Sequence, residues 1–160
     1  MTSWLEGGRP HAAIAAVALA AVGAALTTQH GMGMLPCPWC ILQRMVFVAI
    51  ALVALPAAWI AALRRPLAAV VAALAACGAA AALWQHFVAA SSTSCKLTLA
   101  DRIIGATGLD ALWPDVFAPW ANCADAAVNL LGLPYEAWSL ALFVAIGAVA
   151  VALALRRGAR

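Results

Sequence analysis

Four stretches of the chain, Pro10–Gln29, Ile41–Leu63, Leu67–Ala90 and Tyr135–Leu155, run almost without charge. Each holds about 20 residues or more, and at about 1.5 Å of rise per residue a helix of that length crosses a hydrocarbon core about 30 Å thick. Only Arg44 and Glu136 carry charge within them, each near one end. The pattern predicts four membrane-spanning helices joined by a short outer loop at about 30–40, a tight turn, and a long outer loop at about 91–134. The long loop is itself patterned. Leu97, Ile103, Ile104, Leu109 and Leu112 alternate with Asp101, Arg102 and Asp110, as in a helix lying along a membrane surface, and Pro114 and Pro119 break the run. The competing expectation is a loosely ordered loop.

Composition narrows the class. Of 160 residues, 67% are hydrophobic and 9% charged, against roughly 25% charged in soluble domains. A water-soluble chain of this size has no core large enough for so much apolar surface. The expected fold is therefore an all-α integral membrane protein, a four-transmembrane-helix bundle forming one membrane domain over 1–160. Runs such as Ala79-Ala80-Ala81-Ala82 fit close helix packing through small side chains, or a genomic bias towards alanine. The third span, only moderately hydrophobic, is expected to rely on its neighbours to stay inserted.

Charge sets the orientation. Six of nine basic residues, Arg9, Arg64, Arg65, Arg156, Arg157 and Arg160, fall on one face, which the positive-inside rule assigns to the cytoplasm together with both termini. Arg44, Lys96 and Arg102 lie towards the other face, with Asp101, Asp110, Asp115, Asp125 and Glu136. Trp59 marks the inner interface, and Trp39, Trp84, Trp113, Trp120 and Trp138 the outer one. A cleavable signal peptide is the rival account of the first span, whose apolar core exceeds the usual 7–15 residues or so of such signals. No nucleic-acid partner is expected.

The candidate chemistry lies in the cysteines. Cys37 and Cys40 form a Cys-Pro-Trp-Cys motif, and Cys95 and Cys123 follow in the long loop; counting crossings puts all four on the outer face, where disulfides persist. Cys77 falls about mid-bilayer and is expected to be an inert small hydrophobe. Pro38 suits the first position of a helix, with Cys37 as its cap and Cys40 in its first turn. Unpaired amides and the positive dipole end favour a thiolate there. Arg44, one turn beyond Cys40 on the same face, either steadies that thiolate and polarises an acceptor oxygen or snorkels to headgroups. His86 is a candidate ligand to an acceptor oxygen, or an interfacial polar residue; His30 and His11 read as flanking residues. Zinc fits poorly, because closed sites favour two close thiolate pairs and Cys95 and Cys123 are far apart in sequence.

With Gln29-His30, Pro36-Cys37-Pro38-Trp39-Cys40, Arg44, His86, Cys95, Asn122-Cys123-Ala124-Asp125 and Trp138 in this order, the chain resembles the bacterial disulfide bond formation protein B family of inner-membrane thiol:quinone oxidoreductases. The resemblance covers essentially the whole chain. It implies a relay. A reduced periplasmic thioredoxin-fold oxidase (DsbA-like) attacks a Cys95–Cys123 disulfide at Cys95, Cys123 attacks Cys37, and Cys40 leaves as a thiolate. The cofactor implied is a quinone, ubiquinone or menaquinone, with Arg44 and His86 at its oxygens and the membrane quinone pool as electron sink. The chain departs from the family in its Pro-Trp dipeptide, where aliphatic pairs are familiar, and in Gln43, where an acidic neighbour of the arginine is common.

Three other readings stand beside this one. A small structural membrane protein would use two inert disulfides, which explains the loop cysteines better than an interfacial Cys-x-x-Cys. A vitamin K epoxide reductase-like enzyme would place its loop pair before the Cys-x-x-Cys, whereas here it follows. Electron flow in the reverse direction would use the same residues.

Overall fold

The computed structural model describes residues 7–91 and 98–156, so Cys95, Lys96, Leu97, Arg157 and Arg160 lie outside the described residues. Four helices are long and apolar enough to cross a membrane: α1 (Arg9–Met32), α2 (Pro38–Trp59), α3 (Arg64–Trp84, with flanking turns) and α7 (Tyr135–Leu155). The protein is an all-α, multi-pass membrane protein. Between α3 and α7 come three short helices, α4 (Leu99–Thr107), α5 (Leu109–Leu112) and α6 (Pro114–Phe117), and a two-residue hairpin, β1 (Asn129–Leu130) against β2 (Leu133–Pro134).

Local chemistry explains the helix ends. Pro10 opens α1, and Gly33 closes it in the left-handed conformation at φ 68° that glycine adopts without a Cβ penalty. The turn between α2 and α3 comes earlier than the apolar runs suggested: α2 stops at Trp59, three residues beyond Pro56, and a 3-10 turn over Ala61–Leu63 leads directly into α3 at Arg64. At the far end α3 passes into a π-helical turn, Gln85–Ala89, where the Ala90 amide reaches back to the Gln85 carbonyl at 2.9 Å. Such turns insert an extra residue per turn and re-aim the side chains around them.

α3 packs along α7, α1 along α2, and α2 along α3. The central core joins Ile14, Ala15 and Ala18 of α1, Phe47, Ile50, Ala51 and Ala54 of α2, Val71 and Ala75 of α3, and Phe143, Ile146 and Ala150 of α7. Within it Gly78 lies against the Phe143 ring, where a Cβ would clash; that ring in turn stacks on Phe47 at 4.0 Å. The alanines therefore do serve packing, since they fill the interfaces at which the backbones approach.

The long loop is ordered over its described part. Thr98 and Asp101 make a capping box, with the Asp101 amide donating to Thr98 Oγ1 at 3.3 Å and the Thr98 amide to Asp101 Oδ2 at 2.7 Å. The α4 helix that follows is amphipathic, and it rests on protein: Ile104 and Phe117 pack on Ile41 of α2. Two sequence expectations change here. Trp39 is buried against Trp84 at a centroid distance of 6.2 Å, so it is a packing residue and not part of an interfacial belt. His11 is buried too, its Nε2 bonding to the Arg64 carbonyl at 3.1 Å.

Candidate redox-active site

Cys37 is the N-cap of α2, and its sulfur accepts the Cys40 amide at 3.3 Å. Pro38 fixes the first helical residue without leaving an unpaired N–H, which turns the two thiols to the same side; their sulfurs are 2.8 Å apart. The amides of Trp120 and Ala121 both donate to the Pro36 carbonyl, at 2.9 and 3.2 Å. This backbone clamp brings the end of the long loop onto the start of α2 and lays Cys123 against Cys37 within one buried cluster. Three of the four candidate cysteines are thus brought together; Cys95 lies outside the described residues. Cys77 is exposed on the outer side of α3, away from all of them.

The two cysteines of this contact that lie outside the spanning helices have opposite acidities. Cys37 interacts with Cys123 and Cys40 and is buried, all of which raise its pKa well above that of an ordinary thiol. Cys123 is lowered, chiefly because the Cys37 thiol hydrogen-bonds to it, which outweighs its own burial. Of the two, Cys123 is the more acidic thiol.

Around the thiols the four long helices are tied by a belt of side-chain hydrogen bonds. Arg44 Nη1 of α2 donates to Gln29 Oε1 of α1 at 3.0 Å, and Gln43 Nε2 of α2 to Gln85 Oε1 of α3 at 2.6 Å. His86 Nδ1, in the π turn, pairs with Glu136 Oε1 of α7 at 2.7 Å, and Tyr135 of α7 meets Thr28 of α1 at 3.1 Å. The loop latches onto this belt: the Asp115 carbonyl accepts from Gln29 Nε2 at 3.0 Å, and the Val116 carbonyl accepts from Arg44 Nη1. Arg44 is only 4% exposed and spends its donors inside the protein, so it does not snorkel. Its Nε is buried and has no partner among the described residues.

Between α1 and α7 the belt encloses a cavity of about 250 Å³. Cys40, Gln43, Arg44 and Gln85 form one polar wall, with Thr28 of α1 and Tyr135, Glu136 and Ser139 of α7 on other sides; Phe47, Leu142, Leu35 and Val128 are among its apolar residues. The hairpin supplies part of one side through Leu130, whose carbonyl holds Trp138 Nε1 at 3.1 Å. His86 does not line this space. It borders a second, apolar cavity of about 280 Å³, with Phe87 and Leu140, and Glu136 borders both. Among the described residues no three metal-ligating side chains cluster as a metal site would require.

The profile of the family described as Disulfide bond formation protein DsbB matches residues 9–153. Disulfide bond formation protein B of Herminiimonas arsenicoxydans is 31% identical over 147 residues, covering 91% of this chain and 93% of that protein. That of Aromatoleum aromaticum is 33% identical over 148 residues, 89% of each chain, and Disulfide bond formation protein B 1 of Pseudomonas putida 35% identical over 150 residues, 90% of this chain and 87% of its own. The chain belongs to the disulfide bond formation protein B family. Membership gives it a redox role in disulfide generation, and the thiols gathered at one end of α2 are chemistry of the corresponding kind.

Of the residues expected from the sequence, Cys37, Cys40, Cys123 and Arg44 lie together at this end of the bundle; Gln85 was not among them, and Gln43 figured only as a departure from the family. The signal was available. A primary amide inside an apolar run has four hydrogen-bonding sites to satisfy away from water, and two such residues imply each other.

Proposed function

We propose that the protein is an inner-membrane thiol:quinone oxidoreductase that reoxidises a periplasmic thioredoxin-fold disulfide oxidase. The observation that carries the reading is the placement of Cys40: it touches Cys37, which touches Cys123, and it also forms the wall of a largely apolar cavity beside a buried arginine. A path for electrons from an aqueous loop to a membrane-embedded site needs that sequence of contacts.

The cavity suits a quinone head group. It is mostly apolar and lies between α1 and α7, with Gln43, Arg44 and Gln85 on its α2 and α3 side and Thr28, Tyr135 and Ser139 on its α1 and α7 sides, so polar groups are available at both ends of a two-oxygen ring. A quinone bound there, ubiquinone or menaquinone, supplies a two-electron, two-proton acceptor. The residues of the chain do the rest. A partner dithiol attacks a Cys95–Cys123 disulfide at Cys95 and frees Cys123 as a thiolate. Cys123 attacks Cys37 Sγ, forming the Cys37–Cys123 bond and breaking Cys37–Cys40, so that the electron pair resides on the Cys40 thiolate at the cavity wall. Arg44 steadies that charge and orients the acceptor. The partner's second thiol then displaces Cys95, completing the partner disulfide; Cys95 attacks Cys123, re-forming that bond and freeing Cys37, and Cys37 closes on Cys40 as the electron pair leaves for the acceptor, so one dithiol and one quinone would yield one disulfide and one quinol. Both termini are cytoplasmic and the thiols periplasmic in this reading, following the basic residues. His86 acts, if on the acceptor, through Glu136, which reaches the cavity that His86 does not.

The test is quinone absorbance in detergent, with the purified protein, a soluble quinone and a reduced thioredoxin-fold oxidase. Quinone consumption that vanishes in Cys40→Ser is the expected result. Unchanged consumption in that variant, or none across several quinones and partners with the native chain, overturns it and favours a structural role for the disulfides.

A further inference from the structure

Cys40 has a dedicated hydrogen-bond donor. Gln85 Nε2 lies 3.3 Å from Cys40 Sγ, and Gln85 Oε1 accepts from Gln43 Nε2 at 2.6 Å. Both glutamines are buried, 3% exposed each, and both line the cavity that holds the sulfur. A carboxamide can present either its oxygen or its nitrogen to a neighbour. With its oxygen engaged by Gln43, the Gln85 amide has only its N–H₂ left for the sulfur. The π turn that begins at Gln85 is what brings this side chain inward at the end of α3, where His86, the next residue, points to the second cavity instead.

From this arrangement we infer that Gln43 and Gln85 are an oriented amide pair whose function is to stabilise the Cys40 thiolate, Gln85 as the donor and Gln43 as the residue that fixes which way the donor faces. The inference rests on Cys40 being the thiol released within the proposed relay. A sulfur anion gains more from a donated N–H than a neutral thiol does, because hydrogen bonds to charged groups are roughly twice as strong. It also gives the second amide a purpose. A carboxylate at position 43 cannot donate to Gln85 Oε1; it would accept from Gln85 Nε2, swing the amide round and turn the oxygen lone pairs towards the sulfur. The other charged or titratable groups facing this space are Cys37 and Arg44 of α2, Cys123 of the loop, and Tyr135 and Glu136 of α7. Among the described residues no hydrogen bond joins Arg44 to Cys40, so its effect there is that of a nearby charge, and Gln85 is the side chain besides Cys37 in direct contact with Cys40 Sγ.

The experiment reads the thiol itself and needs no turnover. Full-length protein, reduced in detergent, is alkylated with iodoacetamide from pH 4 to 10, and modification of Cys40 is followed by peptide mass spectrometry in the native chain, Gln85→Leu, Gln85→Glu and Gln43→Glu. Loss of the donor moves the Cys40 midpoint upward by about one unit, a tenfold fall in thiolate at a pH below it. Gln85→Glu moves it further the same way, because an ionised carboxylate repels the thiolate, and Gln43→Glu reproduces the direction without touching the sulfur. A purely structural role for the pair lowers the melting temperature and leaves the midpoint in place. A midpoint in Gln85→Leu that coincides with the native one overturns the inference; if Gln85→Leu fails to fold, Gln85→Met, which also removes the donor without adding charge, decides it. Failure here leaves quinone reduction in native protein intact, whereas failure of the relay leaves the midpoint shift observable, so the two outcomes are distinguishable.

Discussion

At the level of Phe47 and Phe143 the long helices meet through carbon alone; about two turns away, at the level of Cys40 and Gln85, the same helices meet through amides, a guanidinium and thiols. The first region holds the bundle by fit. Gly78 admits a ring, the ring stacks on a second ring, and alanines close the remaining distance. The second holds it by pairing, with at least one side-chain hydrogen bond across each of the four helix junctions around the cavity. Pairing is the costlier way to join helices in a membrane, since each polar group must find its partner without help from water. A bundle that needs only to stay together has no use for it. The polar end is therefore where chemistry is expected and the carbon end where stability is, and substitutions at the two ends should separate the two properties.

The largest separation is expected at Arg44. Arg44→Leu removes the one Arg or Lys that lines the cavity among the described residues and should lower quinone reduction by about a hundredfold, as loss of a group oriented towards developing charge commonly does. Arg44→Lys keeps the charge but cannot serve Gln29 and the Val116 carbonyl with a planar fork, so it should fall between the two. Kinetics at varied quinone concentration give the reading. Equal activity in Arg44→Lys and Arg44→Leu would mean that the charge is idle and that Arg44 only ties α1, α2 and α6 together.

The next effect is a difference between two thiols. The pKa of Cys37 is raised by its hydrogen bonds and burial, and that of Cys123 lowered by the Cys37 proton. Because the thiolate is the reactive form, raising the pH from acid should label Cys123 first, below the ordinary thiol range, and Cys37 last, above it. Each unit between the midpoints is a tenfold difference in thiolate fraction. Poor access to Cys37 would scale its rate at every pH, whereas acidity moves the midpoint, so a titration distinguishes them. Cys37 labelling at or below the midpoint of Cys123 would remove the argument that Cys123 is the attacking sulfur.

Much of this was legible in the chain. Charge-free length fixed four helices, and Cys37-Pro38 announced a capped helix start with Cys40 in its first turn. Arg44 could be placed one turn from Cys40, but whether it faced lipid or protein depended on Gln29 and the Val116 carbonyl, partners distant in sequence. Cys123 could be assigned a face of the membrane, yet its contact with Cys37 is made by two amides that meet the Pro36 carbonyl, and backbone clamps leave no trace in side-chain patterns. The π turn was invisible for the same reason. It sets Gln85 inward and His86 towards the second cavity, so adjacent residues that looked like one polar group at a helix end serve different spaces.

The smallest effect on chemistry, and the clearest on stability, is expected at Gly78. A leucine there must displace the Phe143 ring, which is fully buried and stacked on Phe47, so the clash cannot be relieved by swinging the ring into free space. Overpacking of this kind costs about 1–3 kcal/mol. Gly78→Leu should therefore lower the melting temperature in detergent, while quinone reduction per folded molecule stays near native, because Cys40, Gln85 and Arg44 take none of their hydrogen bonds from the Phe47–Phe143 stack. A variant that keeps its melting temperature but loses turnover would show that the stack transmits its position along α2 to the cavity wall that Phe47 shares with Cys40. The carbon end of the bundle would then be part of the site, and the division between fit and pairing would fail at Phe47, a residue that belongs to both.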